Sequence, residues 1–137
     1  MGIDSSVLVP FLIPDHPWHE SLKKLESKRH AVNPTVLHET YHVSVFKLKR
    51  TSEETATILR DYMKSVLCLP LDSSTVDLGL TLATQYSLRG RDALILANFL
   101  ISKQVKEFAT FDNQLLSLKK IVLRGKSLSV TTPGLNR

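Results

Sequence analysis

Residues 90–112 read GRDALILANFLISKQVKEFATFD, and this stretch decides the fold class. The segment 92–101 is apolar nearly all round, which predicts a mostly buried helix. The run 108–111 is short and apolar, which predicts a strand that ends at Asp112. A buried helix followed by a strand is typical of a chain in which helices and strands alternate.

The same alternation continues on both sides of this stretch. Short strands are predicted at positions 3, 31–32, 67–71, 121–123 and 128–130. Helix starts, each marked by a capping residue or by proline in the first turn, are predicted at Asp15, Asn33, Ser52 and Asp72. Gly90 is expected to end the helix that begins at Asp72. This alternation predicts an α/β layered fold with a mainly parallel sheet.

The length and the charge of the chain limit the classes to which it belongs. Its 137 residues predict one domain over 1–132, followed by a frayed tail over 133–137. No apolar run approaches the roughly 20 residues that cross a bilayer, and no signal peptide is visible, so we expect a cytoplasmic protein without a membrane partner. The formal net charge of +5 suits a polyanionic partner such as nucleic acid. The single cysteine, Cys68, lies in an apolar run and is predicted to be buried.

Four acidic residues lie beside the predicted buried segments, namely Asp4, Glu39, Asp92 and Asp112. The carboxyl ends of parallel strands share one edge of a sheet, where ligands bind in such folds. Carboxylates clustered there stay ionised only with a cation between them, and their hard oxygens suit Mg²⁺ or Mn²⁺. The alternative for each residue is a structural role, as a helix cap, a turn residue or a solvated helix position.

The local sequence around the four acids resembles the PIN-domain nucleases. The matching segments, in the order of that family, are Asp4-Ser5-Ser6-Val7-Leu8-Val9, Leu37-His38-Glu39-Thr40-Tyr41, Arg91-Asp92-Ala93-Leu94-Ile95-Leu96-Ala97 and Thr110-Phe111-Asp112. The resemblance covers nearly the whole chain, and its compact size is similar to that of the VapC toxins of toxin–antitoxin pairs. One departure is that only three residues precede Asp4, fewer than is usual in that family.

This resemblance implies a three-layer PIN-like fold and a ribonuclease that hydrolyses RNA phosphodiester bonds with the help of Mg²⁺ or Mn²⁺. It implies that the four acids are catalytic residues, with Asp4, Asp92 and Asp112 binding the metal directly and Glu39 directly or through water. Ser6 and Thr110 are expected to tune these ligands. The resemblance also implies a homodimer and a protein antitoxin as partner.

Basic residues close to the acids are candidates for RNA contact. Arg89 and Arg91 flank Asp92 and are the first candidates for phosphate binding. The further candidates are Lys47, Lys49, Arg50, Lys119 and Lys120. The alternative is that these are solvated charges or charges that complement helix ends.

Two other classes of function stay open from the sequence. The segment His38-Glu39-Thr40-Tyr41-His42 matches the H-E-x-x-H pattern, in which both histidines bind Zn²⁺ and the glutamate is a general base. No recognisable third ligand follows, and a zinc peptidase leaves the segments around Asp92 and Asp112 unexplained. The other class is a non-catalytic PIN-like RNA-binding module. A second histidine pair, His16 and His19, is predicted to lie at a surface helix end.

Overall fold

The computed structural model describes residues 1–134, and its centre is a six-stranded sheet with the strand order β3-β2-β1-β4-β6-β5. The strands are β1 (Gly2–Ile3), β2 (Ala31–Val32), β3 (Leu67–Cys68), β4 (Glu107–Ala109), β5 (Lys120–Leu123) and β6 (Lys126–Thr131). All neighbours are parallel except β5 and β6, which form an antiparallel hairpin at one edge. Of the predicted tail, residues 135–137 lie outside the described residues.

Helices cover the sheet and connect its parallel strands. They are α1 (Ser5–Leu12), a 3₁₀ helix (Glu20–Ser27), α2 (Pro34–His42) with a π-helical extension (Val43–Lys47), α3 (Ser52–Met63), α4 (Ser73–Tyr86), α5 (Gly90–Leu100) and α6 (Asn113–Leu116). The predicted three-layer α/β fold with a mainly parallel central sheet is confirmed. Within residues 1–134, no helix is both long and apolar enough to cross a membrane.

The centre of the sheet is tightly packed around strand β1. A Cβ atom at Gly2 would lie 3.0 Å from the ring of Phe99, so a larger residue there would push α5 away from the sheet. The Phe99 ring in turn lies 5.5 Å from that of Phe108 on β4, and both side chains are fully buried. Just beyond the ends of β1 and β4, the backbone N–H of Asp4 donates to the carbonyl of Ala109 at 3.0 Å. The packing of the core therefore fixes the positions of the residues that directly follow β1 and β4.

The apolar run Ser5–Leu12, whose periodicity identifies neither a helix nor a strand, forms α1. Burial explains why this segment lacks the polar and apolar periodicity of a surface helix, because a helix enclosed on most sides needs no polar face. The predicted helix at Asp15 is wrong, since regular structure begins only at Glu20 and is 3₁₀.

Other element boundaries differ for local reasons. The cap of α3 is Thr51 rather than Ser52, with its hydroxyl accepting from the N–H of Glu54 at 3.2 Å. Helix α4 ends at Tyr86 and is capped by Ser87, which adopts a left-handed backbone with φ of 56°; Gly90, the predicted end, opens the next helix instead. Cys68 is exposed, which corrects the prediction of a buried thiol: β3 lies at the outer edge of the sheet.

A buried histidine links the 3₁₀ helix to α3. The Nε2 atom of His30 lies 2.6 Å from the carbonyl of Leu25, and its Nδ1 atom lies 2.8 Å from the hydroxyl of Tyr62. A carbonyl can only accept, so Nε2 carries the proton and Nδ1 accepts from the tyrosine in the neutral ring. Burial lowers the pKa of His30 below its usual value of 6.5.

This arrangement predicts a loss of stability in mild acid. Between the lowered pKa of His30 and pH 6.5 the unfolded chain binds more protons than the folded one, so the free energy of unfolding decreases as the pH falls through that window. Chemical denaturation between pH 7.5 and 5 should show this slope, and His30→Gln should make it shallower. His38→Gln, at an exposed histidine, is the control and should leave the slope unchanged. An identical slope in all three proteins would contradict this role for His30.

Candidate active site

A cavity of about 480 Å³ opens at the carboxyl edge of the sheet, beyond the ends of β1 and β4. All four predicted acids line it, although they come from the end of β1, from α2, from the first turn of α5 and from the start of α6. Its walls also include Ser5, Ser6, His16, His42, Lys47, Arg89 and Arg91. The fold therefore brings together carboxylates that are up to 108 positions apart in sequence, from Asp4 to Asp112.

Asp4 is the most buried of the four acids, with only 6% of its surface exposed. Its Oδ2 atom accepts from the hydroxyls of Thr110 at 2.7 Å and Ser6 at 2.8 Å. Those hydroxyls accept in turn from the backbone N–H groups of Asp112 and Phe111, each at 3.0 Å. Ser6 and Thr110 thus hold the Asp4 carboxylate against the backbone that leads into Asp112.

The environment of Asp4 disfavours its ionised form. Burial raises the pKa of this carboxyl above its usual value, and the nearby Glu39 adds to the effect, while the two hydroxyls partly oppose it. Among residues 1–134, no lysine or arginine forms an ion pair with Asp4. Asp4 is therefore a partly desolvated carboxylate that lacks a positive partner. It occupies the cap position of α1, yet its side chain makes no capping bond.

Glu39 points from α2 into the same cavity and binds a serine and an arginine. Its Oε1 atom accepts a short hydrogen bond from the Ser5 hydroxyl, and its Oε2 atom pairs with Nε of Arg91 at 2.8 Å. Ser5 is a positioning group for Glu39 that was not among the residues predicted to tune the ligands, which were Ser6 and Thr110. The available signal was its place beside Asp4 at the first residue of α1.

Arg89 bridges the two remaining acids. Its guanidinium lies 2.9 Å from Oδ2 of Asp92 and 3.2 Å from Oδ2 of Asp112. The charge of Asp92, first, and that of Asp112 raise the pKa of Arg89 further. Asp112 also caps α6 through its Oδ1 atom, which accepts from the N–H groups of Gln114 at 2.8 Å and Leu115 at 3.4 Å. The alternative of a capping role thus applies to Asp112 but not to Asp92, because Arg89 holds the cap position of α5.

The chemistry of this cavity fits a divalent metal ion. Four carboxylates supply the hard oxygen donors that Mg²⁺ and Mn²⁺ prefer. As the side chains stand, no three acids, histidines or cysteines within residues 1–134 are close enough to hold one ion together. The guanidiniums of two arginines supply positive charge to Glu39, Asp92 and Asp112 but not to Asp4. The acids are therefore already arranged around positive charge.

The zinc pattern is split between two clefts. Glu39 and His42 face the acidic cavity, whereas His38 lines a separate groove between α2 and α3, beside Tyr41 and Met63. Nothing in the described residues supports a zinc site on this helix.

The predicted RNA-contacting residues have different surroundings. Arg89 and Arg91 line the cavity and are exposed by 66% and 69%, although both are paired with its acids. Lys47 lines the cavity as well. Arg50 forms an ion pair with Asp15. Arg50 lies outside the walls of the cavity, as do Lys49, Lys119 and Lys120.

The chain is an α/β protein with a mainly parallel sheet and an acidic cavity at the carboxyl edge of that sheet. The model of the PIN domain family matches residues 1–121, so the chain is a member of the PIN domain family. The sheet continues beyond the matched residues, because β6 ends at Thr131 and pairs with β4. A comparison with curated proteins gave no significant match.

Solved structures share this fold at low sequence identity. The structure of VapC20 from Mycobacterium tuberculosis, described as a sarcin–ricin loop cleaving toxin, superposes with a TM-score of 0.70 at 13% identity, covering 85% of this chain and 93% of that one. A toxin–antitoxin complex from Klebsiella pneumoniae gives a TM-score of 0.66 at 16% identity, covering 98% of both chains. VapBC2 from Rickettsia felis, bound to a DNA fragment from its promoter, gives 0.66 at 12% identity with 96% of both chains covered.

The burial of Asp4 predicts that a neutral substitute stabilises the metal-free protein. Asp4→Asn keeps an oxygen that accepts from Ser6 and Thr110 but removes the desolvated charge. In chelator at pH 7.5, we expect Tm to rise by about 3 °C, which is on the order of 1 kcal/mol for a domain of this size. Differential scanning calorimetry measures this change.

The pH dependence of the same comparison provides its control. Between the usual pKa of 3.8 and the raised pKa of Asp4, the folded protein binds more protons than the unfolded chain, so its stability falls as the pH rises. The advantage of Asp4→Asn should therefore shrink towards pH 4. An asparagine variant that is less stable than the parent in chelator at pH 7.5 would show that the Asp4 charge is already compensated.

Proposed function

We propose that this protein is a metal-dependent ribonuclease that hydrolyses RNA phosphodiester bonds at the acidic cavity. The observation that carries the proposal is the convergence of four carboxylates, from four separate elements, on one cavity in a member of the PIN domain family. The net charge of +5 favours a polyanionic substrate although the site itself is acidic. Such a combination is reasonable when cations at the site offset the carboxylates.

The ligands of the metal are the four acids. Asp4, Asp92 and Asp112 would hold Mg²⁺ or Mn²⁺, and Glu39 would contribute directly or through a water molecule. The ion supplies a Lewis acid for the phosphate and lowers the pKa of water. Ser6 and Thr110 keep the Asp4 carboxylate in one orientation, and Ser5 does the same for Glu39.

Arg89 and Arg91 have two roles in this proposal. Their guanidiniums pair with Glu39, Asp92 and Asp112. Both guanidiniums are largely exposed, so solvent screens these ion pairs, and a divalent ion would compete with the arginines for the same carboxylates. Together with Lys47, which lines the same cavity, the two arginines are also the cations that would bind RNA phosphates.

The physiological role that we propose is that of a toxin in a VapBC-type pair. Two of the similar structures are described as a toxin and as a toxin–antitoxin complex, and the third as VapBC2; this chain covers 93–98% of their length. A protein antitoxin, a homodimer and action in the cytoplasm, where the RNA substrate occurs, belong to the same proposal. Residues 1–132 form its nuclease domain.

Removing single charges from the acids tests the enzymatic activity. Asp92→Asn and Asp112→Asn should each lower Mn²⁺-dependent cleavage of an RNA oligonucleotide by at least about a hundredfold, since each loses a charged metal ligand. The Asp112 variant keeps an oxygen that can cap α6. Asp77→Asn, on the exposed surface of α4, is the matched control and should retain full activity. Undiminished cleavage by both site variants, or in excess chelator, would exclude this mechanism; RNA binding with no cleavage by the parent protein would favour a non-catalytic module.

The two roles of Arg89 predict opposite effects on metal and RNA. In Arg89→Gln, no guanidinium competes for Asp92 and Asp112, so Mn²⁺ measured by calorimetry should bind several times more tightly. RNA affinity should fall, and its salt dependence should become shallower by about one phosphate contact. Lys103→Gln, at an exposed lysine outside the cavity, is the comparison for loss of one charge. Weaker Mn²⁺ binding in Arg89→Gln would mean that the arginine supports the metal site instead of competing with it.

A further inference from the structure

We propose that Trp18 and Phe46 form a stacking site for unpaired nucleobases at the rim of the acidic cavity, which makes single-stranded RNA the preferred ligand. This inference rests on the proposed ribonuclease function and specifies its substrate class. It concerns two aromatic side chains that neither the core nor the acidic site uses.

Trp18 is the only tryptophan of the chain, and 41% of it is exposed. Its ring packs edge-on against Phe111 at 4.9 Å, and Phe111 directly precedes the site residue Asp112. On its other side the ring lies 5.6 Å from that of His16, which lines the acidic cavity. Trp18 is thus held in place by two rings and still presents surface to solvent next to the site.

Phe46 gives a second exposed ring on the same rim. It is 58% exposed and lies in the π-helical extension of α2, and such π-helical segments often occur at functional sites. Its ring lies 5.1 Å from that of His42, at an interplanar angle of 34°. His42 lines the acidic cavity, as does Lys47, the residue after Phe46. Each exposed ring is therefore paired with a histidine that faces the carboxylates.

The two aromatic segments are joined to one another. Arg50, which follows the Phe46 segment, forms an ion pair with Asp15, which precedes His16 and Trp18. This contact spans 35 positions of sequence and holds both segments on the same side of the cavity. Trp18 and Phe46 therefore belong to one rim rather than to unrelated surfaces.

The surroundings favour nucleobases over an apolar protein partner. The rings do not form a continuous apolar patch, because histidines and Lys47 lie among them at the cavity wall. Aromatic rings interspersed with cations along a groove are the arrangement that binds single strands, since bases stack while phosphates are neutralised. Bases within a duplex are already stacked on one another and cannot reach such rings without unpairing. The rim therefore selects unpaired RNA for the carboxylates beside it.

The fluorescence of Trp18 tests this directly, because the chain has no other tryptophan. The full-length protein, in chelator to prevent hydrolysis, is titrated with a single-stranded RNA oligonucleotide, with its duplex and with the same strand carrying abasic sites. We expect quenching and the tightest binding with the intact single strand. Trp18→Ala and Phe46→Ala should each weaken that binding about tenfold, which is the effect of losing one stacked base. In these variants, affinity for the abasic strand, followed by anisotropy of a labelled oligonucleotide, should be unchanged.

Matched variants separate stacking from general effects. Trp18→Phe keeps a ring and should retain most of the affinity, whereas Phe46→Leu keeps apolar area without a ring and should not. Leu80→Ala is the control for loss of an exposed apolar side chain, since Leu80 is 63% exposed on α4 and lies outside the cavity. Unchanged melting temperatures would show that each variant is folded.

Several results would overturn the inference. They are equal affinity for abasic and intact strands, RNA binding without any change in Trp18 emission, and rim variants that bind RNA normally but lose self-association in sedimentation. The last result would assign the rim to a second copy of the chain. Stacking on RNA without Mn²⁺-dependent cleavage would instead refute the proposed ribonuclease and leave the stacking site standing.

Discussion

The burial of the Asp4 carboxylate is the constraint on which the acidic cavity depends. Asp4 follows a two-residue strand at the centre of the sheet, and the packing of Gly2 against Phe99 leaves that strand no freedom to shift. The carboxylate is consequently placed where water is scarce, and hydroxyls hold it without neutralising it. The other three acids of the cavity are paired with arginines, so Asp4 is the one acid among them without a positive partner in residues 1–134. Stability alone would favour a neutral residue at that position, so the charge is understandable only in terms of function.

The arginines explain how such a cavity is tolerated in a folded protein. Three of the four acids have a guanidinium partner, and both arginines extend from the first turn of α5 and its cap, where Asp92 also lies. Positive charge therefore comes from the same helix start that provides one of the acids. Because the guanidiniums are largely exposed, they compensate the acids without closing the cavity to solutes. The charges of the acids can therefore be compensated while the cavity stays open to solutes.

Much of the fold was predictable because its signals are local. Strands at 31–32 and 67–68, and helices after Asn33 and Asp72, follow from short apolar runs and capping residues. Asp4, Asp92 and Asp112 stand at the borders of such runs, whereas Glu39 lies within a helix, and the four were singled out together because their segments resemble those of the PIN-domain nucleases. The helix Ser5–Leu12 could not be predicted, because a helix that is buried on most sides lacks the alternation of polar and apolar residues that reveals a helix. The π-helical extension, the ion pairs of Arg89 and Arg91 and the exposure of Cys68 depend on distant neighbours, which no local pattern encodes.

Asp112 divides its two oxygens between different tasks, with Oδ1 capping α6 and Oδ2 facing the cavity. Such a position is pleiotropic in the genetic sense, because one residue has two separate roles: it caps a helix and it places a charge in the cavity. Substitution by alanine would remove a helix cap and a cavity charge together, so its phenotype would mix misfolding with inactivity. Asparagine would keep the helix cap and lose the cavity charge. Serine or threonine would do the same with a shorter side chain. The range of alleles tolerated at this codon would therefore reveal which of the two traits selection maintains.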